Sequence, residues 1–142
     1  MTKGALGRIY QDREVIIREG EIGEHLYVIQ DGFVEIVKES GGVDLTLAVL
    51  GKNDFFGEMA IFEQEPRAAT VRALGTARIL SLDQKSFLRR IHEDPSLAYR
   101  FLEIMSKRLR RLNVEVVELR KLLFEHKIPA EPQPDVTEHF QV

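Results

Sequence analysis

The segment from Gly57 to Val71, GEMAIFEQEPRAATV, combines residue types that are suited to binding a sugar phosphate. Arg67 stands between a proline and two alanines, and its guanidinium is a planar fork of donors that matches phosphate oxygens. Gly57 permits close backbone approaches that other residues forbid. The following Glu58-Met59-Ala60 can open a short helix, whose free N–H groups favour anions. We therefore expect one phosphate to bind between a helix N-terminus and Arg67.

A carboxylate beside a phosphate site needs a reason, because like charges repel. Glu58 fits there if its carboxylate accepts a hydrogen bond from a sugar hydroxyl, as a carboxylate does for ribose in dinucleotide sites. The GxxxxGK[ST] pattern of triphosphate-binding loops is absent from the chain. A single phosphate on a ribose therefore fits the segment better than a triphosphate with magnesium.

Residues 56–71, FGEMAIFEQEPRAATV, resemble the phosphate-binding cassette of the cyclic-nucleotide-binding domain family. Residues 18–36, REGEIGEHLYVIQDGFVEI, resemble the opening strands of the same family. The family includes bacterial catabolite activator proteins, regulatory subunits of cAMP-dependent kinase and cyclic-nucleotide-gated channels. The resemblance covers roughly residues 10–124. It implies a mainly β fold with flanking helices, an eight-stranded jelly roll (double-stranded β-helix) followed by a long helix.

The resemblance also implies roles for the residues of this cassette. Glu58 would bind the ribose 2′-hydroxyl, and Arg67 would bind the cyclic phosphate. Gly57, Met59 and Ala60 would line the sugar phosphate through their backbones. No catalytic residue is implied.

Ala68 bears on which nucleotide is bound. By the resemblance its backbone N–H would donate to a phosphate oxygen. Many cGMP-preferring members have a threonine at this place, and alanine has no hydroxyl, so we expect cAMP rather than cGMP. The base would lie against the long helix, where Asn113 and Glu115 are candidate contacts in RRLNVEVVE. The simpler alternative is that both side chains face solvent.

The residues from about 14 to 83 have the pattern of short strands separated by turns. Asp31-Gly32 and Gly41-Gly42 are typical of hairpin turns, and Gly75 separates the last two strands. Short strands at this spacing predict a sandwich, barrel or jelly roll. The strand segments are Glu14–Arg18, Leu26–Gln30, Phe33–Lys38, Leu45–Leu50, Thr70–Ala73 and Ala77–Leu82.

Two helices are predicted after the strands. Asp83 is a candidate N-cap for a helix over 84–92. Asp94-Pro95 repeats the signal, with proline at the first helical position, and opens a helix of roughly 30 residues and ~45 Å. The predicted inner side of the first helix consists of Phe87, Leu88 and Ile91.

Apolar residues recur along the long helix at alternating steps of four and three, which is a heptad pattern. One interpretation is an amphipathic helix that packs on its own barrel. The other is a two-chain coiled coil, which we expect because a ~45 Å helix extends beyond a small barrel and its apolar stripe continues. This heptad seam consists of Ala98, Leu102, Met105, Leu109, Leu112, Val116, Leu119 and Leu123.

The sequence therefore predicts three segments. Residues 1–94 form the jelly roll with its short helix, and residues 95–124 form the long helix, which belongs to the same domain and dimerises. Residues 125–142 contain three of the five prolines and no periodicity, so we expect a disordered tail.

Composition excludes several classes of function. The net charge is −3 and the isoelectric point about 5.8, which argues against a nucleic-acid partner. No apolar run approaches the ~20 residues of a membrane span, and there is no signal-peptide pattern. The chain has no cysteine, and its four histidines lack metal-ligand spacing. We expect a cytoplasmic protein without a metal, and not an enzyme, because no nucleophile or acid–base set is evident.

The leading hypothesis is a cAMP-binding sensor that has no DNA-binding or catalytic domain of its own and acts on an unidentified effector protein. The alternative is a degenerate domain, in which Glu58 and Arg67 form an internal ion pair and the heptad helix serves as a structural dimer. Whether the chain is complete or part of a larger product is left open by the sequence.

Overall fold

The structure is a computed structural model and describes residues 6–126. The chain divides into two compact units, residues 1–97 and 98–142. Within the described residues, all strands and the two shorter helices belong to the first unit. The elements in chain order are β1 (Arg8–Tyr10), β2 (Val15–Ile17), β3 (His25–Ser40), β4 (Val43–Leu50), β5 (Phe55–Phe56), α1 (Met59–Phe62), β6 (Thr70–Asp83), α2 (Gln84–Glu93) and α3 (Ser96–Glu125).

The strands form one antiparallel sheet in which β3 and β6 are central. The order is β1-β6-β3-β4, with β2 paired to β6 and β5 paired to β3. The central pairing runs from His25 opposite Asp83 to Val37 opposite Thr70. This arrangement confirms the predicted mainly β class with flanking helices.

The hairpin predicted at Asp31-Gly32 is wrong. β3 continues through these residues, and its pairing with β6 shifts register on either side of Asp31. A Cβ on Gly32 would lie 2.3 Å from the carbonyl oxygen of Thr76, and Gly32 has φ +82. Because the backbone of β6 lies directly against the glycine, the chain bends there and stays paired instead of reversing. β6 likewise continues through Gly75, so two long strands replace four of the expected short ones.

The turn predicted at Gly41-Gly42 is confirmed. Ser40 pairs with Val43, which leaves the two glycines as the loop between β3 and β4. Their φ angles are +60 and +79, the positive values that a two-residue hairpin turn requires and that only glycine adopts without strain.

The core of the first unit is apolar and lies between the strands. Ile29, Val34 and Ala73 are fully buried, and the ring of Tyr27 stacks on Phe56 at 5.2 Å. α1 packs on β3 and α2 on β6. The core cluster consists of Tyr10, Ile17, Ile29, Val34, Leu50, Phe56, Val71, Ala73, Ala77 and Ile79.

The predicted start of α2 at residue 84 is confirmed, and α3 begins at Ser96, one residue after the predicted Pro95. The Asp83 carboxylate accepts from Ser86 N at 2.8 Å, and the Asp94 carboxylate accepts from Ser96 N at 3.2 Å. The inner side predicted for α2 is wrong at Leu88, which is exposed. Glu125 is the last residue of α3. The tail predicted beyond it lies outside the described residues from position 127 onward.

Candidate functional site

The guanidinium of Arg67 is held by two backbone carbonyls. Its Nη1 donates to Gly57 O at 3.0 Å, and its Nη2 donates to His25 O at 2.8 Å. Carbonyls orient a guanidinium without neutralising its charge, and the guanidinium carries more N–H donors than these two bonds use. The two carbonyls therefore orient Arg67 without neutralising its positive charge.

Two glycines leave the space that this guanidinium occupies. A Cβ on Gly23 would lie 2.3 Å from Arg67 Nη2, and one on Gly57 would lie 2.9 Å from Nη1. Gly57 also has φ +75, a conformation that disfavours other residues. The sequence identified Gly57 but missed Gly23, whose contact with Arg67 joins distant parts of the chain.

The main chain at Arg67 is fixed by the segment before β3. Arg67 N donates to Glu21 O at 2.8 Å, and Gly20 N donates to Arg67 O at 2.8 Å. An isolated bridge joins Ile22 to Pro66. Both the backbone and the side chain of Arg67 are therefore anchored to residues 20–25.

The helix predicted to open at Glu58 is α1, which begins at Met59 and has four residues. Glu58 occupies the N-cap position in a helical conformation, and its side chain does not cap the helix. Ala60 N donates to Gly57 O at 3.3 Å, so the carbonyl that holds Arg67 also receives an N–H of α1. The Gly57 carbonyl thus joins Arg67 to α1, while the roles of Glu58, Met59 and Ala60 toward a ligand stay predictions.

The other predicted contacts differ in location. Ala68 follows Arg67 directly, is exposed, and its carbonyl accepts a hydrogen bond from Lys38 Nζ at 2.8 Å. Asn113 and Glu115 lie on α3 in the second compact unit with exposed side chains. Their contact with a base therefore remains a prediction.

Tyr27 is a further residue near the guanidinium that the sequence did not identify. It is opposite Phe56 in the pairing of β3 with β5, next to Gly57. Burial raises the pKa of its hydroxyl above 10.0, and the positive charge of Arg67 partly opposes this shift. Tyr27 is therefore a neutral phenol at pH 7, on the strand that supplies one of the carbonyls holding Arg67.

The site is connected to α2 by a side-chain hydrogen bond. Gln84 Nε2 donates to Ile61 O at 3.3 Å, which joins the first residue of α2 to α1. His25, whose carbonyl holds Arg67, pairs with Asp83, the N-cap of α2. Few contacts therefore separate α1 and Arg67 from the start of α2.

Neither a metal cluster nor a membrane span is found in the part of the chain that the structure describes. Residues 6–126 contain no group of three or more His, Asp or Glu side chains placed to hold a metal ion. None of the helices in this range is both long and apolar enough to cross a bilayer.

Comparison with known proteins identifies relatives for most of the chain. The model of the cyclic nucleotide-binding domain matches residues 8–94. A cAMP-dependent protein kinase regulatory subunit of Blastocladiella emersonii is 38% identical over 81 residues, which is 56% of this chain and 20% of that protein. The cyclic AMP receptor protein of Thermus thermophilus is 30% identical over 110 residues, which is 77% of this chain and 51% of that protein. The chain thus spans about half or less of the length of these relatives.

A solved structure supports the same fold. The crystal structure of the Thermus thermophilus catabolite activator protein matches with a TM-score of 0.69 at 30% identity, over 80% of this chain and 54% of that one. This match and the strand pairing confirm the predicted jelly roll followed by a long helix, with six strands among residues 6–126 instead of the expected eight.

Proposed function

Because the chain belongs to the cyclic nucleotide-binding domain family, we propose that it is a sensor that binds cAMP in preference to cGMP and catalyses no reaction itself. The observation that carries the proposal is the state of Arg67. Its guanidinium is oriented by two neutral carbonyls. It occupies the space that Gly23 and Gly57 leave because they have no side chain. A cyclic phosphate, with one negative charge, matches that arrangement in charge and in hydrogen-bonding geometry.

The proposed binding mode uses the cassette, residues 56–71, for the sugar phosphate. Arg67 and the N–H of Ala68 bind the phosphate oxygens, and Glu58 accepts from the ribose 2′-hydroxyl. A buried or partly buried charge pair is strongest when water is excluded from it. The ligand therefore supplies the anion that completes the Arg67 site.

The preference for cAMP rests on Ala68. Alanine offers no hydroxyl to the exocyclic amino group of guanine. Asn113 and Glu115 are the residues of α3 that we propose for contact with the base.

Signal transmission is proposed to run from the cassette to α2. Arg67 and α1 are both hydrogen-bonded to the Gly57 carbonyl, so a ligand that binds Arg67 acts next to α1. The hydrogen bond of Gln84 then joins α1 to α2. Ligand shifts the population of two arrangements only if it binds one of them more tightly. The proposed high-affinity arrangement is the one in which α1 and Arg67 both contact the nucleotide.

We propose a parallel homodimer through the heptad seam of α3. Along the seam, Leu102 is 66% and Leu119 is 59% exposed, which is unfavourable for leucines in water. In a parallel coiled coil with this seam, Glu115 takes a g position and faces Arg120 of the partner subunit at the following e position, a favourable ion pair. The remaining exposed large side chains of the seam are Leu109, Leu112, Val116 and Leu123.

Titration calorimetry of the purified chain with cAMP and cGMP tests the proposed function. We expect heat and a raised melting temperature with cAMP, and weaker binding of cGMP. No heat and no thermal shift with either nucleotide at millimolar concentration contradicts the proposal. A stable dimer under that outcome favours the alternative, an inert barrel whose helix serves as a structural dimer.

A further inference from the structure

Lys38 lies on β3, and its side chain reaches the cassette. Its Nζ donates to the carbonyl oxygen of Ala68 at 2.8 Å and lies 2.8 Å from a carboxylate oxygen of Glu19. One ammonium group therefore joins a central strand, the residue after Arg67, and the segment that precedes β3. In the sequence, Lys38 is one basic residue of the strand segment FVEIVK, and nothing in that segment indicates its contact with Ala68.

Glu19 completes this arrangement from the other side. Its second carboxylate oxygen accepts from Glu39 N at 3.2 Å, and its own backbone N–H donates to Thr70 Oγ1 at 3.0 Å. The hydrogen bond from Lys38 is the main cause that lowers the pKa of Glu19 below 4.5. Glu19 is therefore ionised at pH 7 and contacts both Lys38 and the end of the cassette.

These contacts determine where the backbone N–H groups after Arg67 point. The carbonyl and N–H of a trans peptide group point in opposite directions. The Gly20 bond to Arg67 O therefore turns the Ala68 N–H away from Gly20. In the same way, the Lys38 bond to Ala68 O turns the Ala69 N–H away from Lys38. With both carbonyls bonded, the peptide planes of Arg67–Ala69 are fixed.

We propose that Lys38, held by Glu19, is a positioning residue for anion recognition: it fixes the Ala68–Ala69 peptide, next to the Arg67–Ala68 peptide that Gly20 holds, so that the Ala68 N–H and the guanidinium meet one phosphate together. The inference deepens the proposed function and rests on it for the identity of the anion. Lys38 acts through Ala68 and does not itself contact the ligand.

The proposal separates affinity from stability. Lys38 is 44% and Glu19 is 25% exposed, and ion pairs with this exposure contribute little to the free energy of unfolding. Arg67 keeps its own bonds to Gly57 and His25 when Lys38 is replaced. Loss of Lys38 therefore loosens the loop without removing the guanidinium.

Calorimetry on substituted full-length chains tests this. We expect Lys38→Met to weaken cAMP binding about five- to tenfold, the size of one lost hydrogen bond between preorganised groups, with little change in melting temperature. Lys38→Arg keeps the charge and donors, and should restore most of the affinity. The matched control is Lys107→Met, which removes a lysine paired with Glu103 on α3 and should leave cAMP affinity unchanged. Wild-type affinity in Lys38→Met overturns the proposal.

Hydrogen–deuterium exchange without nucleotide gives a readout that does not depend on binding. We expect Lys38→Met, and also Glu19→Gln, to speed exchange of the amides of Glu19 and Gly20, which are bonded to Thr70 Oγ1 and Arg67 O, while Lys107→Met does not. Unchanged exchange there overturns the positioning role. If wild-type chain binds no cyclic nucleotide but exchange responds to Lys38, the proposed function fails and the loop contact stands.

Discussion

The jelly-roll unit and the long helix differ in how far they bury their apolar side chains. Ile29 and Val34 are fully buried in the first, whereas Leu102 and Leu119 on α3 are more than half exposed. Strand alternation gives the first unit a closed core, although Leu45, Leu47 and Val49 on β4 stay exposed. α3 repeats leucine at heptad spacing, a pattern whose cover normally comes from a second helix. The first unit thus has a core of its own, whereas α3 leaves an apolar stripe that the proposed dimer would cover.

The helix carries more apolar surface than the seam explains. Val114, Val117 and Phe124 are exposed and lie outside the heptad positions. The heptad pattern predicts one apolar stripe on α3 and does not include these residues.

Matched deletions in the two regions give the largest expected effect. Ile29→Ala should lower the free energy of unfolding by about 2–5 kcal/mol, because it leaves a cavity in a closed core. Leu112→Ala should leave the melting temperature of the dissociated chain nearly unchanged and weaken the dimer instead. Denaturant unfolding and sedimentation at several concentrations measure the two quantities. Similar unfolding losses for both variants under dissociating conditions contradict the contrast between the regions.

Gly23→Ala tests the space around Arg67. Gly23 does not have a positive φ, so alanine is allowed by the backbone, but its Cβ would collide with the guanidinium. We expect about tenfold weaker cAMP binding, roughly 1.4 kcal/mol, with the fold retained. The control is Gly51→Ala, whose Cβ would have the ring of Phe33 as its nearest neighbour, at 3.0 Å. Equal affinities for the two variants would show that the position of Arg67 does not depend on this space.

Glu115→Gln has the smallest expected effect and separates two uses of one residue. If Glu115 pairs with the partner subunit's Arg120, the dimer should weaken by about 0.5 kcal/mol, a typical exposed pair, with cAMP affinity unchanged. If Glu115 contacts the base, affinity should fall in dimeric protein. Glu118→Gln is the control, because its ion pair with Lys121 lies within one helix. Sedimentation and calorimetry on the same samples distinguish the outcomes.

The sequence correctly predicted the helix caps and the turn that depend on residues close together in the chain. Asp83 and Asp94 cap their helices and Gly41-Gly42 forms its turn because each depends on residues within a few positions. The Asp31-Gly32 hairpin was wrong because Gly32 is determined by its contact with Thr76 on a distant strand. A dipeptide cannot reveal that contact.

The residues of the candidate site also differ in how far apart they lie in the sequence. Gly57 and Arg67 were found because they lie in one short motif. His25 was missed because it holds Arg67 through its backbone carbonyl, 42 positions away in the chain. Every residue has such a carbonyl, so the residue type does not indicate this contact. Lys38 was missed because its bond to Ala68 spans 30 positions. The groups that orient the arginine thus emerge only from the fold.

The measurement that tests the central claim most directly is the cAMP affinity of Arg67→Ala beside that of Arg78→Ala. Arg78 also donates to a backbone carbonyl, that of Gly7, and lies outside the cassette. Arg67→Ala should cost about 2–3 kcal/mol of binding free energy, the size of a hydrogen bond to a charged group, and Arg78→Ala should bind like wild type. Wild-type affinity in Arg67→Ala would contradict the account.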